Sequence, residues 1–378
     1  MNDNLSSQKQ DRRSFIKKTG KGIVLGSLGA VFPYAKVSNI HGVEEKKLGV
    51  ALVGLGYYAT HKLAVGLEET EYCEVKGIVT GTPSKIPEWK EKYNIADKNV
   101  YNYQNFENIA DNPDIDIVYV VLPNAMHAEY VVKAAQAGKH VMCEKPFDIN
   151  ASRAATAVEA CEKAGRLLQI GYRCQYDPNH KELMRIGREG DLGNIKEIRS
   201  SHSFFGVRGD NWRYTDRSLA GGGPLMDVGV YSINAARYST GEEPTAVWAR
   251  TYNTYPNLMD GMEETIVFTM EFPSGAVANM TSSYVARANF IHISAEKGNY
   301  GLEPAFGYGG ASGYKGEEKI DYPKRNQQAA QMDAFARNIL DGTPVVASGE
   351  EGLRDMYVID ALYKSARKNG KRIKMVGA

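Results

Sequence analysis

The chain has 378 residues and a formal net charge of +1, with 46 lysines and arginines against 45 acids. That balance argues against a nucleic-acid or membrane-surface partner. The four cysteines, Cys73, Cys143, Cys161 and Cys174, form no CxxC pair, which argues against a zinc site or a redox dithiol. The length suits two or three domains with separate cores, and 23 tyrosines suit stacking on sugars or rings.

The N-terminus carries Arg12-Arg13-Ser14-Phe15-Ile16-Lys17, followed by a weakly apolar stretch over 22–35. That stretch is too short and too glycine-rich to span a bilayer. Residues 1–35 therefore read as a twin-arginine export signal, with Pro33-Tyr34-Ala35 nearest to a cleavage site, and 36–47 as a polar linker. The expected destination is the periplasm, with no membrane attachment after export.

Folded structure is expected from Leu48. Residues 48–53 form a β-rich run, and Gly54-Leu55-Gly56-Tyr57-Tyr58-Ala59 follows at once. This is G-x-G-x-x-A between a strand and a helix. Gly54 allows the tight turn, Gly56 lets backbone approach a pyrophosphate, and Ala59 permits close helix packing. The helix N-terminus adds amide donors and a positive dipole end. The second strand, 74–80, leads into Thr80-Gly81-Thr82-Pro83-Ser84-Lys85. An acid at this point would bind the ribose 2′-hydroxyl of NAD. Hydroxyls and a lysine stand there instead, so the stretch favours NADP.

Residues 116–122 form the next strand, with Pro123-Asn124 turning at its end and Asn124 placed to cap a helix over 125–138. His127 lies in that helix's first turn, as suited to packing as to touching a cofactor. The run Val141-Met142-Cys143 then ends abruptly in Glu144-Lys145-Pro146. The carboxyl ends of parallel strands are where ligands bind, so Glu144 and Lys145 sit where chemistry would sit. Pro146 restricts Lys145 to extended geometry and permits a cis bond. A helix over 151–164 and a strand over 167–171 complete an alternation that implies a doubly wound parallel sheet over 48–171.

Beyond Gly171 the rhythm changes. A helix over 178–188 precedes strands near 195–205, 245–255, 263–272, 276–284 and 290–295, the pattern of a mostly antiparallel α+β domain over 172–378. Gly221-Gly222-Gly223-Pro224 opens a helix on which Asp227 and Tyr231, four apart, share a face. Tyr231, Ala235 and Tyr238 also read as a buried stripe. Two late helices, 327–340 and 349–368, close the chain and are free to pack back on the first domain.

The glycine turn, Leu122-Pro123-Asn124, Glu144-Lys145-Pro146, Gly171-Tyr172-Arg173-Cys174, Asn211-Trp212-Arg213 and the 221–231 segment together resemble the Gfo/Idh/MocA oxidoreductases. They are most similar to the glucose-fructose oxidoreductase branch. The resemblance implies a periplasmic, NADP-containing enzyme acting on pyranoses, with Lys145, Asp227 and Tyr231 at the catalytic centre. It implies cofactor contacts from Gly54, Gly56, Tyr57, Tyr58, Ala59, Leu122, Pro123, Asn124, His127, Glu144 and Lys145. Thr80 and Lys85 would meet the 2′-phosphate, and Tyr103, Arg173, Trp212 and Arg213 would complete the cofactor pocket. Tyr172, Tyr231 and Tyr308 would face the sugar, no metal is implied, and the assembly would be a homodimer or homotetramer. Where the best-known enzyme of that branch carries a long proline-rich arm before its first strand, only 36–47 is available here.

A free tyrosine, with pKa about 10, is too weak a base near neutrality. An ammonium from Lys145 beside Tyr231 would favour phenolate, but the residue types alone leave open which of the two moves the proton. A redox-neutral glycoside-cleaving enzyme and a non-catalytic sugar or nucleotide sensor are the rival readings. Lys145, Asp227 and Tyr231 together argue against the sensor.

Overall fold

The computed structural model describes residues 47–206 and 211–375. The export signal, the linker up to residue 46 and residues 207–210 lie outside the described residues.

The first sheet grows from apolar runs that only a doubly covered parallel sheet can hide. Strands β1 (Leu48–Val53), β2 (Cys73–Val79), β3 (Val100–Tyr101), β4 (Ile117–Val120), β5 (His140–Cys143) and β6 (Leu168–Ile170) are all parallel, in the order β3-β2-β1-β4-β5-β6. The order reverses between β1 and β4, and a crevice opens outside the strand ends at that switch point. Helices α1 (Ala64–Glu68), α2 (Ile86–Tyr93), α3 (His127–Gln136) and α4 (Ala151–Ala164) connect them. Local chemistry sets the helix ends. Asn150 accepts from the Arg153 amide to start α4, and Gly165 ends it in the left-handed region. The two-residue β3 has no sequence signal of its own and is not among the predicted strands. Asn124 is not a cap: its side chain donates to Ala220 O at 2.9 Å, and Pro123 leads a 3₁₀ turn over Asn124–Met126.

The second sheet has nine strands: β7 (Ile195–Ser203), β8 (Ala246–Tyr252), β9 (Thr265–Glu271), β10 (Val277–Ser283), β11 (Ala288–Ala295), β12 (Gly298–Leu302), β13 (Gly313–Lys315), β14 (Glu318–Ile320) and β15 (Ile373–Lys374). Their order is β14-β13-β12-β11-β7-β10-β9-β8-β15, and only β7 and β10 pair in parallel. The five long strands fall where sequence alternation predicts them. The short β12–β14 and β15 do not announce themselves, because strands of two to five residues carry too few positions to show a period. Helices α5 (Pro178–Glu189), α6 (Trp212–Thr215), α7 (Arg217–Ala220) and α8 (Val230–Thr240) follow, with a π-turn over Leu225–Gly229 leading into α8. Asp177 starts α5 by accepting from the amides of Asn179 and His180, with Pro178 at the first position.

The last two helices, α9 (Gln327–Asp341) and α10 (Gly349–Arg367), take different partners. Met332, Phe335 and Ala336 of α9 are buried in the same apolar cluster as Val50, Leu52 and Ile117 of the first sheet. Asp333 accepts from the amides of Glu71 and Tyr72 at 2.9 and 3.0 Å. Helix α10 packs against α4 and β8, so it touches both sheets' surroundings.

Candidate active site

A cleft of about 1020 Å³ opens along the carboxyl ends of β1, β2, β4 and β5 and faces the second sheet. Its first end is the glycine turn. Gly54 has φ +92°, and a methyl group there would lie 2.5 Å from Val121 O. Only glycine meets both demands. Gly56 differs: a methyl group there would meet nothing within 4 Å. It borders open cleft, as a backbone approach for a pyrophosphate requires. Ala59 is buried beneath the turn, Tyr57 is exposed and tilts on His61, and Tyr58 turns inward.

At the end of β2, Thr80 is buried and its Oγ1 accepts from the Thr82 amide at 3.1 Å. Lys85 reaches across the cleft mouth and donates to Leu55 O at 2.6 Å. Tyr103 closes the floor under Gly81. The donor set is a hydroxyl and an ammonium with no acid among the lining residues of this corner, which fits a 2′-phosphate. The residues present thus fit NADP. Leu122, Pro123 and Asn124 form the adjoining wall.

His127 is buried with Nδ1 at 2.9 Å from Pro146 O and Nε2 at 2.9 Å from Leu122 O. Both nitrogens are committed to backbone, so it braces two rim loops. Burial lowers its pKa, against opposing carbonyl bonds and Asp148.

The other end gathers groups from distant segments. Lys145, at the end of β5 and joined to Pro146 by a cis bond, donates to the backbone carbonyl of Asp227 at 2.7 Å. Its Nζ stands 3.7 Å from Asp227 Oδ1 and 4.9 Å from the centre of the Tyr231 ring. Burial pushes the Lys145 pKa down, opposed by Asp227 and Glu144. Burial also raises the Asp227 carboxyl, but Lys145 and Arg213 outweigh it and hold the group below its ordinary range. Glu144 accepts from Tyr119 Oη at 2.8 Å, and Tyr119 Oη in turn accepts from Gln331 of α9 at 2.7 Å. Burial raises the Glu144 pKa.

Tyr231 corrects the sequence-based expectation. Lys145 lies over its ring face, and the group that most opposes burial is Arg173, whose Cζ is 5.0 Å from the ring centre. Burial wins, and the phenol is held well above its ordinary pKa. The phenol is thus kept in its protonated form, while burial favours the uncharged form of the Lys145 amine.

Arg173 is fully buried and forms no ion pair among the described residues. It donates to Phe306 O at 2.6 Å and to Gln327 Oε1, and its guanidinium stacks 4.4 Å from the Tyr308 ring centre. It therefore clamps the 306–308 wall. Trp212 and Arg213 stack on each other at 4.3 Å and line the cleft, with Arg213 Nε 3.6 Å from Asp227 Oδ1. Tyr308 borders the cleft and is half-exposed. Tyr172 does not join them. It is 1% exposed, lies in the core outside the cleft lining, and its neighbours are Asp355 and Arg237. The backbone reverses sharply after Gly171, so the arginine faces the cleft and the tyrosine before it faces the core.

His202, Phe204, Phe306 and Tyr284 are absent from the sequence-based set. His202 and Phe204 line the cleft, and Tyr284 touches Asp227. Alternation along β7 offers a signal, because positions 202 and 204 share a face. The His202 ring stacks on Phe306 at 5.1 Å, and burial drives its pKa to about 3, so it is neutral at working pH.

Comparison with known proteins agrees with this architecture. Residues 48–172 match the model of an oxidoreductase family with an NAD-binding Rossmann fold, and residues 180–300 match the GFO/IDH/MocA C-terminal domain. The crystal structure of an aldose-aldose oxidoreductase from Caulobacter crescentus, complexed with glycerol, is 41% identical with a TM-score of 0.83, covering 87% of this chain and 100% of that one. A D-xylose 1-dehydrogenase [NADP(+)] of Haloarcula marismortui is 27% identical over 84% of this chain and 90% of that protein. A D-glucoside 3-dehydrogenase of Escherichia coli is 24% identical over 87% of this chain and 97% of that protein. With both domain models matched in order on a parallel sheet followed by a mostly antiparallel one, the chain belongs to the Gfo/Idh/MocA oxidoreductase family.

Proposed function

We propose that the protein is an NADP-dependent oxidoreductase acting on a pyranose sugar, in the manner of the glucose-fructose oxidoreductase branch. The observation that carries this reading is one cleft with two ends. A glycine turn with Thr80 and Lys85 stands at one, and Lys145, Asp227 and Tyr231 stand at the other. The names of the aldose-aldose oxidoreductase and the NADP-linked xylose dehydrogenase support the same substrate class and cofactor.

Bound in the cleft, NADP supplies the hydride acceptor. Lys145, as the free amine favoured by its burial, takes the proton of the sugar hydroxyl as the carbon loses hydride. Tyr231 donates a hydrogen bond to the same oxygen and fixes its direction. Asp227 holds the ammonium that forms. Oxidation of the carbon would thus send a hydride, two electrons with one proton, to the bound nicotinamide and the hydroxyl proton to Lys145, and a second sugar carbonyl would take up both to close the cycle.

The twin-arginine pattern at Arg12-Arg13 supports export to the periplasm, and a compartment without a nicotinamide pool requires a retained cofactor. The test is extensive desalting, followed by an aldose and an acceptor sugar with no added nucleotide. The reading expects sustained turnover with parallel double-reciprocal lines. Turnover that begins only when NADP is supplied would overturn retention, and none with any aldose and either nucleotide would overturn the sugar reading. Replacing Arg12 and Arg13 by lysine should leave the protein in the cytoplasm, and a double variant still found in the periplasm would overturn the export reading. Light scattering should return a homodimer or homotetramer.

A further inference from the structure

Asp227 meets Lys145 through its backbone, not its carboxylate. The lysine donates to Asp227 O at 2.7 Å, while Oδ1 stands off at 3.7 Å. A carboxylate and an ammonium this close in a buried site close to direct contact unless something holds one of them back. The one hydrogen bond accepted by this carboxylate among the described residues comes from Tyr284, whose hydroxyl donates to Oδ2 at 3.2 Å.

Tyr284 is built to hold still. It follows β10, its amide donates to Glu264 O at 3.0 Å, and its carbonyl accepts from Gly206 at 3.0 Å. The ring is fully buried, edge-on to Tyr214 at 4.8 Å and to Phe204 at 5.3 Å. The hydroxyl thus has a fixed position, independent of any ligand.

We infer that Tyr284 is a positioning residue for the proposed reaction: it holds the Asp227 carboxylate away from Lys145 and so keeps the lysine ready to receive a proton. The inference rests on Lys145 as the proton acceptor. The charged and titratable groups facing Lys145 are Asp227, Glu144, Arg213, Arg173 and His202, with the ring of Tyr231 beside it. Those facing the Asp227 carboxylate are Lys145, Arg213, His202 and Tyr284. Only Tyr284 combines a direct bond to the carboxylate with no charge of its own. Closing the gap to a direct ion pair would raise the affinity of Lys145 for its proton about tenfold, taking an effective dielectric constant of about 20.

The experiment is Tyr284→Phe, which keeps the ring and removes the hydroxyl. The rising limb of the pH profile of kcat/KM should move up by about one unit. Activity below the limb should fall about tenfold, with the plateau and the melting temperature little changed. Asp227→Asn should move the limb the other way, because it removes the anion. In parallel, the reactivity of Lys145 toward an amine acylating reagent is followed across pH by peptide mass spectrometry in cofactor-free protein. It should show the same upward shift in Tyr284→Phe. A limb and a labelling curve that stay in place, or move down, would overturn the inference. Lys145→Ala separates the two readings. If that variant keeps the limb, the lysine is not the base and the proposed mechanism fails, while the labelling curve still decides what Tyr284 does.

Discussion

At the glycine-turn end of the cleft, six consecutive residues and a hydroxyl-lysine pair about 30 positions on supply the binding surface, mostly as backbone. At the lysine end, residues 145, 173, 202, 213, 227, 231, 284 and 306 converge from seven places, and their side chains are what matters. The first end is shaped by the glycine turn, with Tyr58, Tyr103 and Lys85 around it. The second is crowded with charge in a buried setting, where Lys145 and Arg213 share one carboxylate. Binding a pyrophosphate asks for close approach and amide donors, which a short local motif can provide. Moving a proton asks for a lowered pKa and fixed direction, which only tertiary structure can provide.

The comparison breaks first at Lys145. Lys145→Ala should lower kcat by about 10² to 10⁴ while leaving the Kd for NADP nearly unchanged, because general base catalysis is worth that much. Tyr231→Phe should cost less, since it removes a donor and not the base. Single-turnover rates like those of the parent in both variants would remove the lysine end from the chemistry. The two glycines give the next contrast. Gly54→Ala forces an L-residue into φ +92° against a carbonyl oxygen, and should cost about 1–3 kcal/mol of stability, read as a lower melting temperature. Gly56→Ala meets no protein atom, so its melting temperature should hold while NADP affinity falls. Equal behaviour of the two variants in both measurements would show that the turn is structural only.

Lys85→Ala sharpens the cofactor corner. It should weaken NADP by about tenfold and NAD much less, because only NADP carries a 2′-phosphate to pair with. Equal losses, measured by titration of both nucleotides, would show that Lys85 serves Leu55 alone. The smallest effect concerns what anchors the lysine end. Helix α8 carries Tyr231 at its start and Arg237 near its end, where Arg237 pairs with Glu243, Glu351 and Asp355. Burial raises the Asp355 pKa to about 6, against the pull of Arg237. A raised carboxyl stabilises the fold fully below about pH 4 and loses that contribution as pH climbs through its folded value. Melting temperature should therefore decline between about pH 4 and 6, and Asp355→Asn should flatten the decline. An unchanged slope would place the titration elsewhere.

The two ends also differ in how far they can be read from sequence. Gly54, Gly56 and Ala59 follow from a local spacing whose physical reason is local, and the structure places all three as the spacing requires. Glu144 and Lys145 are legible because an apolar strand stops abruptly at charge. Tyr172 is not, because one residue decides whether a side chain after a turn faces core or cleft. Tyr284 looks like any aromatic at the end of a strand. Its bond to Asp227 joins positions 57 apart, and nothing in composition records that. The five long strands of the second sheet show their period, whereas the two-residue β3 and β15 have none to show.

Helix α9 gives the molecule a dependence on order of synthesis. Met332, Phe335 and Ala336 complete the apolar bed under β1, β2 and β4, and Gln331 reaches Tyr119 within the first sheet. A nascent chain has made every strand of that sheet by residue 170, with Leu63, Ala64, Leu67 and Trp89 already available to one face, yet the part of that face that α9 covers waits until residue 341 has left the ribosome. Domains generally fold from the N-terminus during translation at about 5–20 residues per second. This one waits roughly 10–30 s for its last wall on that scale. A fragment ending at residue 172 would therefore lack Met332, Phe335 and Ala336 and present the patch they cover to the solvent.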